Sequence, residues 1–166
     1  MLFRSNTRFG RMAHAQLKPA EENSGRLVTI VRQDAADRAT NSVVILDGSP
    51  GTGCPVIASI TASTLAVLVA EATVSGASDL VRVLDLARHF KIPSAVIINK
   101  ADISPSIAER IRGIANEFGS PVIGELDYDA AFVDAQLLRQ TLLEFDSDGE
   151  TAKRIRLIWE RIAAMV

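Results

Sequence analysis

Cysteine and aromatic residues are scarce in this chain of 166 residues. Its single cysteine, Cys54, excludes an intrachain disulfide, and it also excludes a cysteine-based zinc or iron–sulfur site built by this chain alone. Aromatic residues make up only 5% of the sequence, whereas hydrophobic residues make up 48%. We therefore expect a globular protein with an aliphatic core, in a compartment where thiols stay reduced.

A strong charge of one sign and a long apolar run are also lacking. The formal net charge is -2, which gives no electrostatic reason to expect binding to nucleic acid or to an anionic membrane. The longest nearly uncharged apolar run, residues 62–69, is far too short to span a bilayer. Residues 1–11 contain no apolar stretch typical of a signal peptide. We expect a cytoplasmic protein with no nucleic-acid partner and no membrane span.

Strand and helix patterns alternate from Asn23 to the end of the chain. Short apolar runs predict buried strands at 43–46, 65–69, 95–98 and 121–124. Helical spacing of apolar residues predicts helices in between, and a last helix from about residue 149 that buries Ile155, Ile158, Trp159 and Ile162. The alternation is typical of βαβ units, so we predict an α/β fold with a mainly parallel sheet and helices on both faces.

The N-terminal segment, residues 1–20, is the least regular part of the sequence. It predicts either an extended arm or one or two short strands, placed ahead of a single domain over residues 21–166. Asn23 or Ser24 can cap the first helix of that domain, because a short polar side chain accepts from free backbone N–H groups.

The loop after the predicted strand 43–46 is rich in glycine and begins with Asp47. In open parallel sheets, ligands bind at the carboxyl ends of the strands. P-loop NTPases place an Asp there to reach the magnesium shell, followed by a glycine whose N–H faces the γ-phosphate. Asp47, Gly48 and Gly51 are therefore candidates for phosphate and magnesium binding. A plain strand-ending Asp that caps a turn explains the same residues.

The loop after the predicted strand 95–98 begins with Asn99, followed by Lys100, Ala101 and Asp102. An Asn side chain offers a donor and an acceptor, which together can read a purine edge, and Asp102 can accept from base N–H groups. The structural alternative is a capped turn before the helix that Ser104 begins.

A dinucleotide-binding interpretation is also open. Gly51 and Gly53 follow a strand, and Glu71 ends the next one, which is similar to a Rossmann fingerprint. However, Val56 stands at the third glycine position, and the helix after the loop is too short for a regular crossover. Cys54 lies at a helix N-terminus, but neither histidine is near it in sequence, so a small loop residue explains it best.

Taken together, these segments resemble the MinD/ParA-type ATPases of the CobQ/CobB/MinD/ParA group, and most closely the branch with an inserted ferredoxin domain. The resemblance covers essentially the whole chain and is carried by residues 21–25, 45–56, 99–102 and 125–129. It implies an incomplete P-loop NTPase fold of the SIMIBI-like type. It further implies that ATP and Mg²⁺ bind, with Asp47 like the Walker B acid and Mg²⁺ ligand through water. Gly51 then resembles the phosphate-sensing glycine beside Gly48, and Asn99 the purine-reading residue beside Asp102.

The sequence also departs from the family. Ser49 and Asp127 stand where proline is usual, and the second change puts the shape of the base-side loop in doubt. The family's phosphate-binding loop contains a Gly-Lys pair, whereas no lysine here follows a glycine, and the cysteines of the ferredoxin insert are absent. The resemblance therefore implies the C-terminal portion of such an ATPase, not catalytically competent alone and without an iron–sulfur cluster.

This interpretation has consequences for partners. We expect a homo-oligomer or a P-loop-containing partner chain, and the family's iron–sulfur association makes a ferredoxin-type or other iron–sulfur protein a further candidate partner. Two other functions stay open at this point. One is a non-catalytic interaction module that keeps the fold and uses an exposed sheet edge. The other is a Rossmann-type dinucleotide enzyme.

Overall fold

A computed structural model of the protein describes residues 2–16, 24–39 and 43–166. The chain divides into two compact units, Met1–Ser63 and Thr64–Val166, and each is described by itself. Among the described residues, no helix has both the length and the apolarity to cross a membrane.

The first unit begins with an antiparallel hairpin of β1 (Leu2–Thr7) and β2 (Gly10–Ala15). Its turn is closed by the Thr7 hydroxyl, which donates to the Gly10 carbonyl at 2.8 Å, and Gly10 has a φ of 135°, a conformation that favours glycine. The unit continues with α1 (Ser24–Arg38) and the short helix α2 (Cys54–Ile60). Arg4 of β1 donates from Nη2 to Asp34 of α1 at 2.7 Å and thereby ties the hairpin to the helix.

The predicted strand at residues 43–46 is wrong. These residues form no strand, and Val43, Val44 and Ile45 are exposed. The run has the composition of a buried strand, but a strand also needs a neighbour for its backbone N–H and C=O groups. Within the described parts of the chain, no backbone hydrogen bond reaches residues 43–46.

The second unit is built on a three-stranded parallel sheet. Its strands are β3 (Ala66–Glu71), β4 (Ser94–Asn99) and β5 (Val122–Leu126), and they lie in the order β3-β4-β5. Two long helices make the crossovers, α3 (Val74–His89) and α4 (Pro105–Glu117). After β5 the chain forms α5 (Ala131–Leu137), α6 (Leu142–Phe145) and α7 (Glu150–Ala163).

Helices cover both faces of this sheet, as the alternation predicted. On one face, Val96 and Ile98 of β4 pack against α3 and α4 in a core that includes Leu84 and Ile111, each at most 1% exposed. On the other face, Ile97 of β4 packs in a second cluster with Ala95, Ile123 and Ile158. The period-2 alternation along β4 thus supplies a separate core to each side.

Several boundaries follow the local signals. Pro105 begins α4 after Ser104, although the Ser104 side chain makes no capping bond to the helix backbone. Gly119 follows the C-terminus of α4 with a φ of 67°, as a glycine in the left-handed conformation should. The predicted burial of Trp159 in α7 is wrong, because this side chain is exposed, whereas Ile158 beside it is buried.

Candidate functional site

The carboxyl ends of the three parallel strands meet at one edge of the second unit. The register places Glu71 of β3 beside Asn99 of β4, and Asn99 beside Leu126 of β5. Since the strands are parallel, their following loops lie together at this edge, which is where ligands bind in open α/β sheets. We call the edge formed by residues 71, 99–102 and 126–129 the carboxyl edge.

Asn99 ends the central strand and is half-buried. Its side-chain oxygen accepts from the backbone N–H of Lys100 at 3.1 Å, and Lys100 itself has a φ of 54°, in the left-handed region. The side-chain amide therefore supports the tight turn that leaves β4. Its NH₂ group has no partner among the described residues, so Asn99 presents a donor and keeps its acceptor for the turn.

Lys100 joins two of the strand ends. Its ammonium group lies 2.9 Å from the Glu71 carboxylate, and both side chains are exposed enough to exchange partners with a ligand. The sequence-based argument missed this pair, because it considered Glu71 only as part of a dinucleotide fingerprint. The signal that could have found it is the strand register, since both residues lie at the ends of adjacent parallel strands.

Asp102 connects the loop after β4 with the loop after β5. Its Oδ1 accepts from the backbone N–H of Tyr128 at 2.6 Å, and the N–H of neighbouring Ala101 donates to the Leu126 carbonyl at 3.0 Å. The structure thus brings Asn99 and Asp102 to the same edge, and it gives Asp102 a positioning contact that was not predicted. Its second carboxylate oxygen has no partner within the described residues.

The loop after β5 is held by two aspartates. Asp127 pairs with Arg154 of α7 at 2.8 Å. Asp129 accepts from the Thr151 hydroxyl at 2.6 Å and from the backbone N–H of Ala131 at 2.9 Å. These hydrogen bonds, with the Thr151 bond the larger cause, lower the pKa of Asp129 from its usual value. The loop that lacks the expected proline is therefore fixed by side-chain contacts to α7.

The other predicted site residues lie in the first unit. Asp47, Gly48 and Gly51 are exposed and precede α2, and Gly51 has a φ of 93°, which the absence of a Cβ permits. Within the described residues, the Asp47 carboxylate has neither a hydrogen bond nor an ion pair. It is therefore open to a ligand.

The donor set fits Mg²⁺ in one binding mode and not in another. Among the described residues, no cluster of three or more His, Cys, Asp or Glu side chains could enclose a metal ion. Mg²⁺ keeps several waters and is often bound by one or two carboxylates together with substrate phosphates. A single open carboxylate such as Asp47 fits that mode, and it does not fit a closed structural metal site.

The comparisons with known proteins agree with this architecture. No protein-family model matches the chain. An uncharacterised protein of Methanocaldococcus jannaschii is 22% identical over 152 residues, which are 91% of this chain and 50% of the relative. The chain therefore spans about half the length of the curated relative that it matches.

Two solved structures are similar in fold. The cell division ATPase MinD of Pyrococcus furiosus has a TM-score of 0.69 at 16% identity, covering 86% of this chain and 59% of that one. The MinD cell division protein of Aquifex aeolicus has a TM-score of 0.67 at 16% identity, covering 84% and 61%. The predicted fold class, an α/β fold of the MinD type, is confirmed.

Proposed function

We propose that the chain is a nucleotide-binding portion of a MinD-type ATPase, and that the carboxyl edge holds the base. The observation that carries this proposal is the free NH₂ group of Asn99, unpartnered among the described residues, at the end of the central strand. It lies on an edge where Asp102 offers a second, partly free acceptor. A donor and an acceptor on adjacent loops are what a purine edge requires. One of the two similar structures is itself a cell division ATPase, which favours ATP as the ligand.

The phosphate end of the ligand is assigned to the first unit. Asp47 would hold Mg²⁺ through water, and Gly48 and Gly51 would let the backbone approach the phosphates closely. Bound Mg²⁺ neutralises developing charge on the β- and γ-phosphates during phosphoryl transfer. In this proposal Asp47 is the Walker B acid.

Catalysis needs more than these residues. Phosphoryl transfer depends on preorganised donors around the β- and γ-phosphates, usually a lysine and backbone N–H groups of a glycine-rich loop. None of the four lysines, Lys18, Lys91, Lys100 and Lys153, follows a glycine. We therefore propose that the 166 residues bind nucleotide and that a P-loop-containing chain supplies the missing donors.

A thermal-shift screen tests the proposal against its rivals. A ligand that binds only the folded protein raises the melting temperature by mass action. We expect stabilisation by millimolar ATP or ADP with Mg²⁺, and none by NAD or NADP. Stabilisation by dinucleotides alone would favour a Rossmann-type enzyme. No stabilisation by any nucleotide would favour an interaction module and contradict the proposal.

A further inference from the structure

The outer edge of β3 carries backbone groups that no other strand of the described residues satisfies. Ala66 N–H donates to the Pro93 carbonyl at 2.8 Å and Ala72 N–H to the Asn99 carbonyl at 3.1 Å, so the even-numbered residues of β3 point towards β4. By the alternation of a strand, the N–H and C=O groups of Val67 and Val69 point away from β4. In the sheet formed by the described residues, β3 is an edge strand and nothing pairs with these groups.

The opposite edge of the sheet is protected in a way that this one is not. Arg161 of α7 donates from Nη1 to the Ile123 carbonyl of β5 at 2.7 Å, which places a charged side chain on the backbone of that edge strand. Charged side chains are a common means of preventing strand addition. Within the described residues, β3 carries no such group, and Val69 in its middle is 64% exposed. Parallel strands are normally buried on both faces, so this exposure is unusual.

The chain also contains a segment suited to pair with such an edge. Residues 43–46 have a β-branched, apolar composition, and Ile45 is 75% exposed. Their backbone makes no hydrogen bond to the parts of the chain that the structure describes. Strand addition satisfies main-chain groups on both partners and buries alternate side chains. The segment and the edge are therefore complementary in what each lacks.

We propose that the outer edge of β3 is a strand-addition site for residues 43–46 of a second copy of this chain. Two copies that each give this segment to the other form a closed, two-fold symmetric dimer in which both edges are covered. The proposal does not depend on nucleotide binding, and it can hold whether or not ATP binds.

The first test is the molar mass of the full chain by light scattering over a wide concentration range. We expect the mass to rise from 17.8 kDa towards twice that value. Val69→Pro removes one outward N–H and leaves the ladder between β3 and β4 intact, as proline is tolerated on edge strands. This variant should stay at the mass of one chain, whereas Val69→Thr, which keeps both the N–H and the β-branch, should dimerise like the wild type.

A mixing experiment separates the proposed pairing from general damage to the fold. Ile45→Lys should disable the donor segment, and Val69→Pro should disable the acceptor edge, so each variant alone should be monomeric with a normal circular dichroism spectrum. Mixed together, they retain one intact segment and one intact edge, and a heterodimer should form with weaker affinity than the wild type. A wild-type chain that stays monomeric overturns the proposal. So does a dimer that Val69→Pro leaves unchanged, or a mixture that stays monomeric.

Discussion

At the scale of single residues, Asn99 and Asp102 each make one hydrogen bond within the described chain and keep one group for a ligand. Asn99 uses its oxygen on the Lys100 N–H, and Asp102 uses one oxygen on the Tyr128 N–H. The sequence-based argument weighed base reading against turn capping as alternatives. The geometry makes them compatible, because an amide or a carboxylate has more than one bonding group.

Asp102→Ala should loosen the loop after β5. The substitution leaves the Tyr128 N–H without its carboxylate, and we expect a loss of about 0.5–1.5 kcal/mol in the free energy of unfolding, the usual net value of one hydrogen bond. Asp102→Asn is the matched control, since it keeps a side-chain oxygen for the same N–H. Chemical denaturation measures both, and an equal loss for the two variants would show that the Tyr128 contact does not matter.

Asp34 makes the attachment of the hairpin sensitive to acid. The hydrogen bond from Arg4, and secondly that from Arg38, lower the pKa of Asp34 to about 2. A carboxyl whose pKa is lower in the folded state stabilises that state above its unfolded pKa of roughly 4, and this contribution disappears as pH falls through about 2. NMR titration of the carboxyl should give this low value. In Arg4→Ala the pKa should move up towards the ordinary range, and an unchanged value would contradict the assignment.

At the scale of secondary-structure elements, Gly124 allows α7 to lie close to β5. A Cβ atom at this position would lie 2.2 Å from Cγ1 of Ile158, a buried residue of α7. Gly124→Ala should therefore destabilise the fold by about 1–3 kcal/mol, as overpacking does. Gly113→Ala is the control, because a Cβ added at the exposed Gly113 of α4 would meet no neighbouring atom within 4 Å. That variant should be more stable by up to about 1 kcal/mol, owing to the helix propensity of alanine. Equal effects of the two substitutions on thermal unfolding would refute the close packing.

The elements with a strong local signal could be predicted from the sequence. β4 and α4 have clear periodicity and a proline or glycine near their ends, and the structure places them where the pattern did. α5 and α6 escaped prediction because they span only seven and four residues, too few to show a period. The exposure of Trp159 and the unpaired state of residues 43–46 among the described residues depend on which surfaces have neighbours, and a local pattern contains no such information.

The same distinction applies to the candidate site. Asn99 and Asp102 could be selected because they follow a buried strand that the sequence marks clearly. The pair of Lys100 with Glu71 depends on strand register, and the contact of Asp102 with Tyr128 joins residues 26 positions apart. Both arise only once the parallel strands have been aligned, so they could not be inferred from the loops alone.

At the scale of the whole molecule, the fold is that of MinD-type proteins, whereas the chain spans only about three fifths of the two similar structures. We expect the 166 residues to show no ATP turnover above buffer, because the donors that stabilise phosphoryl transfer have no candidates in this sequence. A steady-state phosphate-release assay measures this. Turnover that Asp47→Ala abolishes would mean that this chain carries a complete catalytic site.

The central claim is that Asn99 holds the base of a bound nucleotide. With the main phosphate donors absent from the sequence, we expect weak binding, in the high micromolar to millimolar range or roughly 4–6 kcal/mol. Asn99→Ala should weaken it by roughly two- to tenfold, the equivalent of about 0.5–1.5 kcal/mol. Asn116→Ala is the matched control, because Asn116 is exposed at the far end of α4, roughly 16 Å along the helix from the carboxyl edge.

The most direct measurement is therefore an NMR titration of the wild type, Asn99→Ala and Asn116→Ala with adenosine and guanosine nucleotides in the presence of Mg²⁺, alongside the melting temperature of each protein. We predict that only Asn99→Ala loses affinity, and that all three proteins remain folded at the temperature of the titration. Equal affinities for all three, or binding by none, would contradict the account. A lower melting temperature for Asn99→Ala with unaltered nucleotide affinity would leave Asn99 with its turn and nothing more.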